Sequence, residues 1–242
     1  MKRVLLGMLT PSSNTVLEPV TSAMLAGLPE VSAHFARLRV TQISLSSDAL
    51  SQFDTEPFLQ AADLLADAQL NAIGWNGTAG GWLGFDTDRK TCAAIEQKLG
   101  IPATTSMLAL NEILQTTDRT RFALVSPYLH EVQERMIANY TASGFDVVAE
   151  RHLNDRGNFS FSEVSAAQIE QMCREVAEAK PQAIAIVCTN MNGASVAARM
   201  EEELGIPVYD TVATVVWKSL RLTGVDTRRV QGWGSLFQEL HG

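Results

Sequence analysis

Short apolar runs alternate with longer amphipathic stretches along the whole chain, and this alternation constrains the fold most. Eight runs have the length and composition of β-strands, at residues 4–9, 35–40, 72–75, 103–104, 122–126, 147–150, 183–188 and 208–209. Eight stretches have the spacing of amphipathic helices, at residues 16–25, 56–65, 89–99, 107–114, 130–143, 166–179, 195–204 and 213–222. This order is typical of parallel strands joined by helical crossovers.

The chain also contains an internal repeat. Glu-Gln-Lys-Leu-Gly-Ile-Pro at 96–102 returns as Glu-Glu-Glu-Leu-Gly-Ile-Pro at 201–207. In both copies glycine would end a helix and Ile-Pro would open a strand, and upstream of each lies an apolar strand with a small polar loop. We interpret this as duplication, although Leu-Gly-Ile-Pro is also a common helix-to-strand junction.

The prediction is therefore an α/β fold with two pseudo-symmetric lobes. Each lobe is expected to hold a four-stranded parallel sheet flanked by helices, with the active site in the interlobe cleft. The expected boundaries are 1–117 and 118–242, and a C-terminal helix at 213–240 can pack back onto the first lobe.

Composition excludes several function classes. The formal net charge is −8 and no basic run exceeds a residue pair, which disfavours nucleic acid and anionic membranes as partners. No apolar run approaches the roughly 20 residues of a membrane helix. The three cysteines are irregularly spaced and the four histidines (His34, His130, His152 and His241) are scattered, so we expect no disulfide framework, metal or cofactor. We expect a cytoplasmic protein, and a homo-oligomer is compatible with these features.

Four loops of small polar residues follow predicted strands, at 9–15, 76–79, 126–128 and 187–190. In open parallel sheets, ligands bind beyond the carboxyl ends of the strands, and backbone N–H groups at helix starts favour an anion. Neither a P-loop nor a Gly-x-Gly-x-x-Gly fingerprint accompanies these loops. A small carboxylate is therefore a better candidate ligand than a nucleotide.

Cys188 is the strongest candidate for chemistry, because it lies between an apolar strand and a helix start. N–H dipoles at such a turn are expected to lower the pKa of the thiol. The alternative is a small buried hydrophobic residue, which is how free cysteine usually behaves. Tyr128 could donate to a carboxylate or be a surface turn residue, and Asn14 could be no more than a helix N-cap.

Together these residues resemble the aspartate/glutamate racemase superfamily, in its branch of maleate cis–trans isomerases and arylmalonate decarboxylases. Thr-Pro-Ser-Ser-Asn-Thr at 10–15 is similar to a loop of the isomerases, and Ser-Pro-Tyr at 126–128 to the tyrosine loop of both groups. Cys188 falls at the second-half cysteine of the branch. Gly-Trp-Gly-Ser-Leu-Phe at 232–237 resembles the ending of the decarboxylases.

The resemblance implies which reaction to expect. Racemases and isomerases of this superfamily use two cysteines, one per half, whereas here the first-half position is Gly77. The decarboxylases also have a glycine there and keep only the later cysteine. Stereoinversion removes a proton from one face and returns it to the other, and a glycine can do neither.

The implied activity is cofactor-independent decarboxylation of a small malonate-type dicarboxylic acid. One carboxylate would lie among donors, and Cys188 would protonate the resulting enediolate. The implied substrate-binding residues are Asn14, Gly77, Thr78, Ala79, Tyr128, Thr189 and Asn190.

Three positions depart from the decarboxylase pattern. Ala79 replaces a serine, Thr189 replaces a glycine, and residues 12–14 are polar as in the isomerases. We therefore expect a substrate more polar than an arylmalonate, such as an aliphatic or amino-substituted diacid. Two alternatives stay open: an isomerase or racemase in which Asn76 or a water replaces the missing thiol, and a non-catalytic carboxylate-binding protein.

Overall fold

The computed structural model describes residues 3–240, without the side chains of residues 47 and 48; His241 lies outside this range. The eight predicted strands are confirmed as β1 (Val4–Pro11), β2 (Val31–Leu38), β3 (Ala72–Trp75), β4 (Ala103–Thr105), β5 (Arg121–Ser126), β6 (Asp146–His152), β7 (Ile184–Ile186) and β8 (Val208–Asp210). They form two four-stranded parallel sheets with the orders β2-β1-β3-β4 and β6-β5-β7-β8.

Helices flank both sheets. They are α1 (Leu17–Leu25), α2 (Ser47–Leu50), α3 (Thr55–Ala66), α4 (Gly80–Leu83), α5 (Phe85–Leu99), α6 (Ser106–Thr116), α7 (His130–Ala142), α8 (Ala166–Ala177), α9 (Ala194–Leu204), α10 (Thr211–Leu222) and α11 (Leu236–Glu239). The eight predicted helices are confirmed, whereas the short α2, α4 and α11 were not predicted. Strands β3 and β7 are buried at every position, as expected for apolar strands covered on both faces.

Two strand boundaries differ from the prediction in ways that matter for the site. Strand β2 ends at Leu38, so that Val40 lies in a loop. Strand β7 ends at Ile186, and the N–H of Cys188 donates to Oγ1 of Thr211 (3.2 Å) instead of to a neighbouring strand. Cys188 therefore lies in the turn after the strand.

Strand register makes the two halves equivalent position by position. In the first sheet Leu9 pairs with Trp75, and in the second Val125 pairs with Ile186. Counting on from these pairs, Gly77 is equivalent to Cys188 and Ser12 to Tyr128. The repeat noted in the sequence therefore corresponds to a repeated strand order, and its two halves carry different side chains at the same backbone positions.

The stretch 213–240 is not one helix, which corrects the prediction. Helix α10 ends at Leu222 because Gly224 adopts a positive φ of 71°, and α11 is a separate short helix. Helix α10 packs against α6, its equivalent in the first half, and against β3; Oγ1 of Thr214 donates to the carbonyl of Ser106 (2.9 Å). The lobe boundary at 117/118 stays a prediction. No helix among residues 3–240 is long and apolar enough to cross a membrane.

Candidate active site

A cavity of about 290 Å³, counted with its mouth, lies between the carboxyl ends of the two sheets. In each sheet, the carboxyl ends of neighbouring strands lie side by side at this cavity. Open parallel sheets bind their ligands at such a position. The cavity is lined by Pro11, Val40, Ile43, Phe53, Trp75, Gly77, Thr78, Ala79, Trp82, Tyr128, Asn158, Cys188, Thr189 and Asn190. Both halves of the chain therefore contribute to one site.

Seven of the eight predicted site residues line this cavity, namely Gly77, Thr78, Ala79, Tyr128, Cys188, Thr189 and Asn190. Asn14 does not line it. Its Oδ1 accepts from the N–H groups of Val16 (2.9 Å) and Leu17 (3.0 Å), and its Nδ2 donates to Oγ1 of Thr189 (3.1 Å). Asn14 therefore caps the start of α1 and donates to Thr189, and its contact with a substrate stays a prediction.

The thiol of Cys188 is almost fully buried, and burial raises its pKa to about 12. The N–H groups of Asn190 and Met191 and the hydroxyl of Tyr128 oppose this rise, because each favours the thiolate. The prediction that N–H dipoles lower this pKa is wrong, since desolvation outweighs them. Cys188 is consequently a protonated thiol at neutral pH, which suits a proton donor.

Tyr128 and Thr78 face each other across the two halves, with their hydroxyl oxygens 2.6 Å apart. Two hydroxyls that share one hydrogen bond keep one further O–H for another acceptor. Burial raises the pKa of Tyr128 well above its usual value, so its hydroxyl stays protonated. The pair therefore has one O–H left, and both the sulfur of Cys188 and a bound carboxylate can accept a hydrogen bond from it.

Thr189 and Asn190 are largely held by protein groups. Oγ1 of Thr189 donates to the carbonyl of Asn76 (2.9 Å), so its side chain has no proton left for a ligand. Oδ1 of Asn190 accepts from the N–H of Thr15 (2.9 Å), and Nδ2 donates to the carbonyl of Asn158 (2.6 Å). These residues join the two halves, and only their remaining N–H groups are available to an anion.

The amide of Asn76 does not replace a thiol. Nδ2 donates to the carbonyls of Leu9 (3.1 Å) and Gly74 (3.2 Å), and the side chain is fully buried outside the cavity lining. One route to a two-sided mechanism that the sequence left open is thereby removed.

The cavity has an apolar wall whose residues were not predicted, namely Val40, Ile43, Phe53, Trp75 and Trp82. Trp75 could have been inferred from its place at a strand end. Val40 had the same signal, because the strand predicted at 35–40 ends there. Residues 41–53 form a connection without strong periodicity, so the sequence carried no comparable signal for Ile43 and Phe53.

The polar residues of the first loop are turned away from the cavity. Oγ of Ser13 donates to the carbonyl of Val40 (2.9 Å), and Oγ of Ser12 accepts from the N–H of Val40 (3.2 Å). Neither serine lines the cavity. The hydroxyls of these two serines are therefore used by the backbone of Val40, whereas the expectation of a polar substrate stays a prediction.

Asn158 is a further lining residue that was not predicted. It reaches the site because two connections, one from each half, pair where Gln42 forms an antiparallel bridge with Gly157. Its Nδ2 donates to the carbonyl of Val40 (3.1 Å). This pairing is between residues far apart in the chain, so the sequence offered no signal for it.

Cys188 and Tyr128 are the only titratable side chains among the described residues that line the cavity. No lysine, arginine or histidine is among those residues, so an anion would be held there by neutral donors. Across residues 3–240, no three His, Cys, Asp or Glu side chains are grouped as they would be around a metal ion.

A buried carboxyl group lies behind the loop of each half. Oδ2 of Asp88 accepts from Oγ1 of Thr105 (2.5 Å), and Oδ1 of Asp210 accepts from the N–H groups of Val212 (2.7 Å) and Ala213 (3.3 Å). Burial raises the pKa of each to about 7. Thr105, which donates to Asp88, and Asp210 occupy equivalent register positions. Each half therefore has a buried acid near this position, Asp88 from α5 in the first half and Asp210 from β8 in the second.

Known proteins share this fold and are about a quarter identical in sequence. Maleate isomerase of Geobacillus stearothermophilus is 24% identical over 93% of this chain and 94% of its own length. Arylmalonate decarboxylase of Bordetella bronchiseptica is 27% identical over 60% of this chain and 62% of its own. A solved structure of Nocardia farcinica maleate cis–trans isomerase, a cysteine-to-serine mutant with a covalently bound succinylcysteine intermediate, matches with a TM-score of 0.89 and 24% identity over 98% of this chain and 99% of its own.

A family profile also matches nearly the whole chain. Residues 6–237, which include every residue that lines the cavity, match the sequence profile described as arylmalonate decarboxylase. The chain therefore belongs to the arylmalonate decarboxylase family, whose fold it shares with the maleate isomerases.

Proposed function

We propose that this protein is a cofactor-independent decarboxylase of a malonate-type dicarboxylic acid, with Cys188 as the proton donor. One observation carries the proposal: a single thiol lies in a two-sided cavity whose equivalent position in the other half is Gly77. Racemisation needs an acid on one face and a base on the other, whereas decarboxylation needs one acid.

The first step is the loss of carbon dioxide. The bond between the α-carbon and one carboxylate breaks, and its electron pair moves onto the retained carboxylate as an enediolate. The hydroxyl pair of Thr78 and Tyr128 and the N–H groups of the Ala79 and Thr189 loops support this developing charge. Each well-placed donor of this kind contributes about 3–4 kcal/mol to lowering the barrier.

The second step is protonation of the α-carbon. The S–H bond of Cys188 breaks, its proton goes to one face of the enediolate carbon, and the thiolate regains a proton from solvent. Because burial raises the pKa of this thiol to about 12, the proton is in place across the neutral pH range. The enediolate carbon is far more basic than a thiolate, so the transfer runs downhill.

The apolar wall supports a particular class of substituent. An apolar and aromatic surface is formed by Val40, Ile43, Phe53 and Trp82. Burying a charged group against this surface would cost free energy. We therefore propose that the α-carbon bears an aromatic or aliphatic group. The same surface disfavours a carboxylate pressed against it, which promotes loss of that carboxylate.

Cis–trans isomerisation of a maleate-type diacid is the second candidate. Four maleate isomerases match over 93–97% of this chain, whereas the matched decarboxylase covers 60% of it. This breadth favours an isomerase. The single cysteine counts against it, because a thiolate that adds to the double bond needs a low pKa and Cys188 has a raised one.

The two candidates are separated by incubating the protein with phenylmalonate, methylmalonate, aminomalonate and maleate in deuterated water. We expect carbon dioxide from a substituted malonate and one deuterium at the α-carbon of a single product enantiomer. Conversion of maleate to its trans isomer without gas release would replace the proposal by the second candidate. Binding without turnover of any of these acids would reduce the chain to a carboxylate-binding protein.

A further inference from the structure

Gly77, the position equivalent to Cys188 in register, is covered by one aromatic side chain. We propose that Trp75 is a specificity-determining residue: its indole fills the volume that a first-half side chain would need, and it closes the face of the substrate opposite Cys188. The stereochemical consequence rests on the proposed function. The claim that the indole fills this space does not rest on that function, and it is tested separately below.

The space over Gly77 is occupied by the body of the indole ring. A Cβ atom placed on Gly77 would lie 2.1 Å from Cζ2, 2.2 Å from Cε2 and 2.6 Å from Nε1 of Trp75. Non-bonded carbon atoms approach to about 3.5–4.0 Å. Any side chain at position 77 would therefore have to displace the ring.

The ring is held where it is. Trp75 is 2% exposed, and its ring packs edge-on against Phe58 of α3, with the centroids 4.8 Å apart and the planes at 84°. The backbone of Trp75 is fixed between Leu9 and Thr105 by strand pairing. A rigid, buried aromatic ring of this kind cannot turn aside as the end of a flexible side chain could.

The equivalent residue of the second half is directed elsewhere. Ile186, which matches Trp75 in register, packs against Gly193 at the start of α9, with Cγ2 only 2.6 Å from where a Cβ on that glycine would lie. The sulfur of Cys188 therefore reaches the cavity, where nothing comparable to the indole replaces it. The same backbone position carries an acid in one half and a covered glycine in the other.

A ring carbon can neither remove nor return an α-proton. With the indole on one side and the thiol on the other, hydrogen reaches the α-carbon from Cys188 alone. It follows that Gly77→Cys by itself does not create a second catalytic thiol, because the ring already fills that space. Trp75→Ala together with Gly77→Cys should create one.

The test is a double-mutant cycle on the full chain with wild type, Gly77→Cys, Trp75→Ala and the variant carrying both changes. Gly77→Cys should lower the Tm by about 3 °C or more in the wild-type background, because overpacking destabilises the core. It should cost little or nothing in the Trp75→Ala background. Gly27→Cys is the matched control, since a Cβ there meets only the carbonyl of Arg229 at 3.8 Å.

Iodoacetamide labelling, read by peptide mass spectrometry, tests the spatial claim without any turnover. We expect the new thiol to be labelled faster in the doubly substituted variant than in Gly77→Cys alone. Equal Tm losses in both backgrounds, or equal labelling rates, would overturn the claim that Trp75 fills this space.

The catalytic consequence is tested with a chiral monoacid, the product of a malonate with two different α-substituents, by following exchange of its α-hydrogen in deuterated water. One thiolate would take the α-proton as a base while the thiol on the other face delivers a deuteron, so exchange with racemisation should appear only in the doubly substituted variant. Racemisation by Gly77→Cys alone would overturn the proposal. If wild type decarboxylates no malonate while the Tm and labelling results hold, then the proposed function fails and the space-filling role of Trp75 stands.

Discussion

The two halves of this protein share a strand order and register but present opposite chemistry to the same cavity. In the first half, Trp75 covers Gly77; in the second, Ile186 packs away from the cavity and leaves Cys188 presented to it. Residues two apart along an extended segment point to the same side, so a large side chain at one position compensates for glycine at the other. At these two pairs of equivalent positions the halves therefore differ in the way that a one-sided site requires.

A second pair of equivalent positions shows the same division. Ser12 and Tyr128 both follow a Pro at the end of the first strand of their half. The hydroxyl of Ser12 bonds to the backbone of Val40, whereas that of Tyr128 meets Thr78 in the cavity. The first half thus contributes the apolar wall, the Thr78 hydroxyl and backbone donors, and the second contributes the acid.

The largest expected effect comes from removing that acid. Cys188→Ala should lower the turnover of the best malonate by about 10²–10⁴-fold, the usual contribution of a positioned general acid, while binding of the product acid persists. Steady-state kinetics and calorimetric titration measure the two quantities. Cys173→Ala is the matched control, because Cys173 is buried in α8 and does not line the cavity. Undiminished turnover in Cys188→Ala would mean that the second half does not supply the catalytic acid, so the two halves would not differ in this respect.

The second largest effect should be the difference in kcat/KM between removing the hydroxyl of Tyr128 and removing that of Ser12. Tyr128→Phe removes the donor that Thr78 orients, and should lower kcat/KM by about 10²–10³-fold. Ser12→Ala, at the equivalent position of the other half, should change kcat/KM little. If both substitutions had equal effects, the hydroxyl pair would not be part of the carboxylate site.

The buried acids of the two halves should affect stability in the same way. The pKa of both Asp88 and Asp210 is raised from 3.8 to about 7, so between these values the folded protein retains protons that the unfolded chain has released. The stability contribution of each acid is therefore greatest below about pH 4 and falls as the pH rises towards 7.

Asp88→Asn and Asp210→Asn keep an acceptor oxygen but cannot ionise. Each should raise the Tm at about pH 8 relative to wild type and reduce the difference in Tm between about pH 5 and 8. Thermal unfolding at the two pH values measures this. An unchanged pH dependence in either variant would mean that the acid of that half is ionised when folded.

The smallest expected effect concerns the repeated helix ends. Gly100 and Gly205 close α5 and α9 with φ of 68° and 65°, and each donates its N–H to a carbonyl 2.9 Å away. Gly100→Ala and Gly205→Ala should each cost about 1 kcal/mol, or about 2–4 °C in Tm, because alanine is strained in this region. Unequal losses of Tm would show that the two copies of the repeated helix end do not contribute equally to stability.

Much of the fold was predictable because it depends on local patterns. Apolar runs such as 72–75 and the Leu-Gly-Ile-Pro junctions specify strands and helix ends through nearest neighbours along the chain. The error at 213–240 was also local, because Gly224 ends α10 where we expected the helix to continue. Three four-residue helices were not predicted, because segments that short carry no periodicity.

The site was predictable only where it follows directly from strand ends. Cys188, Tyr128 and the residues 77–79 were found because parallel strands direct their carboxyl ends to one edge. Asn14 does not line the cavity, since its amide is held by α1 and Thr189, and its contact with a substrate stays a prediction. Phe53 and Asn158 reach the cavity through contacts between segments far apart in the chain, which no local pattern encodes.

The sequence by itself determined the two parallel sheets, their internal repeat and the presence of one cysteine where relatives of the superfamily use two. Only the tertiary structure decided the ionisation of that cysteine and what stands opposite it. Burial from all sides raises the thiol pKa against the pull of nearby N–H groups, and the indole of Trp75 lies over Gly77. Both outcomes depend on how closely distant groups pack around one point, whereas strand and helix formation depends mainly on neighbours in the chain.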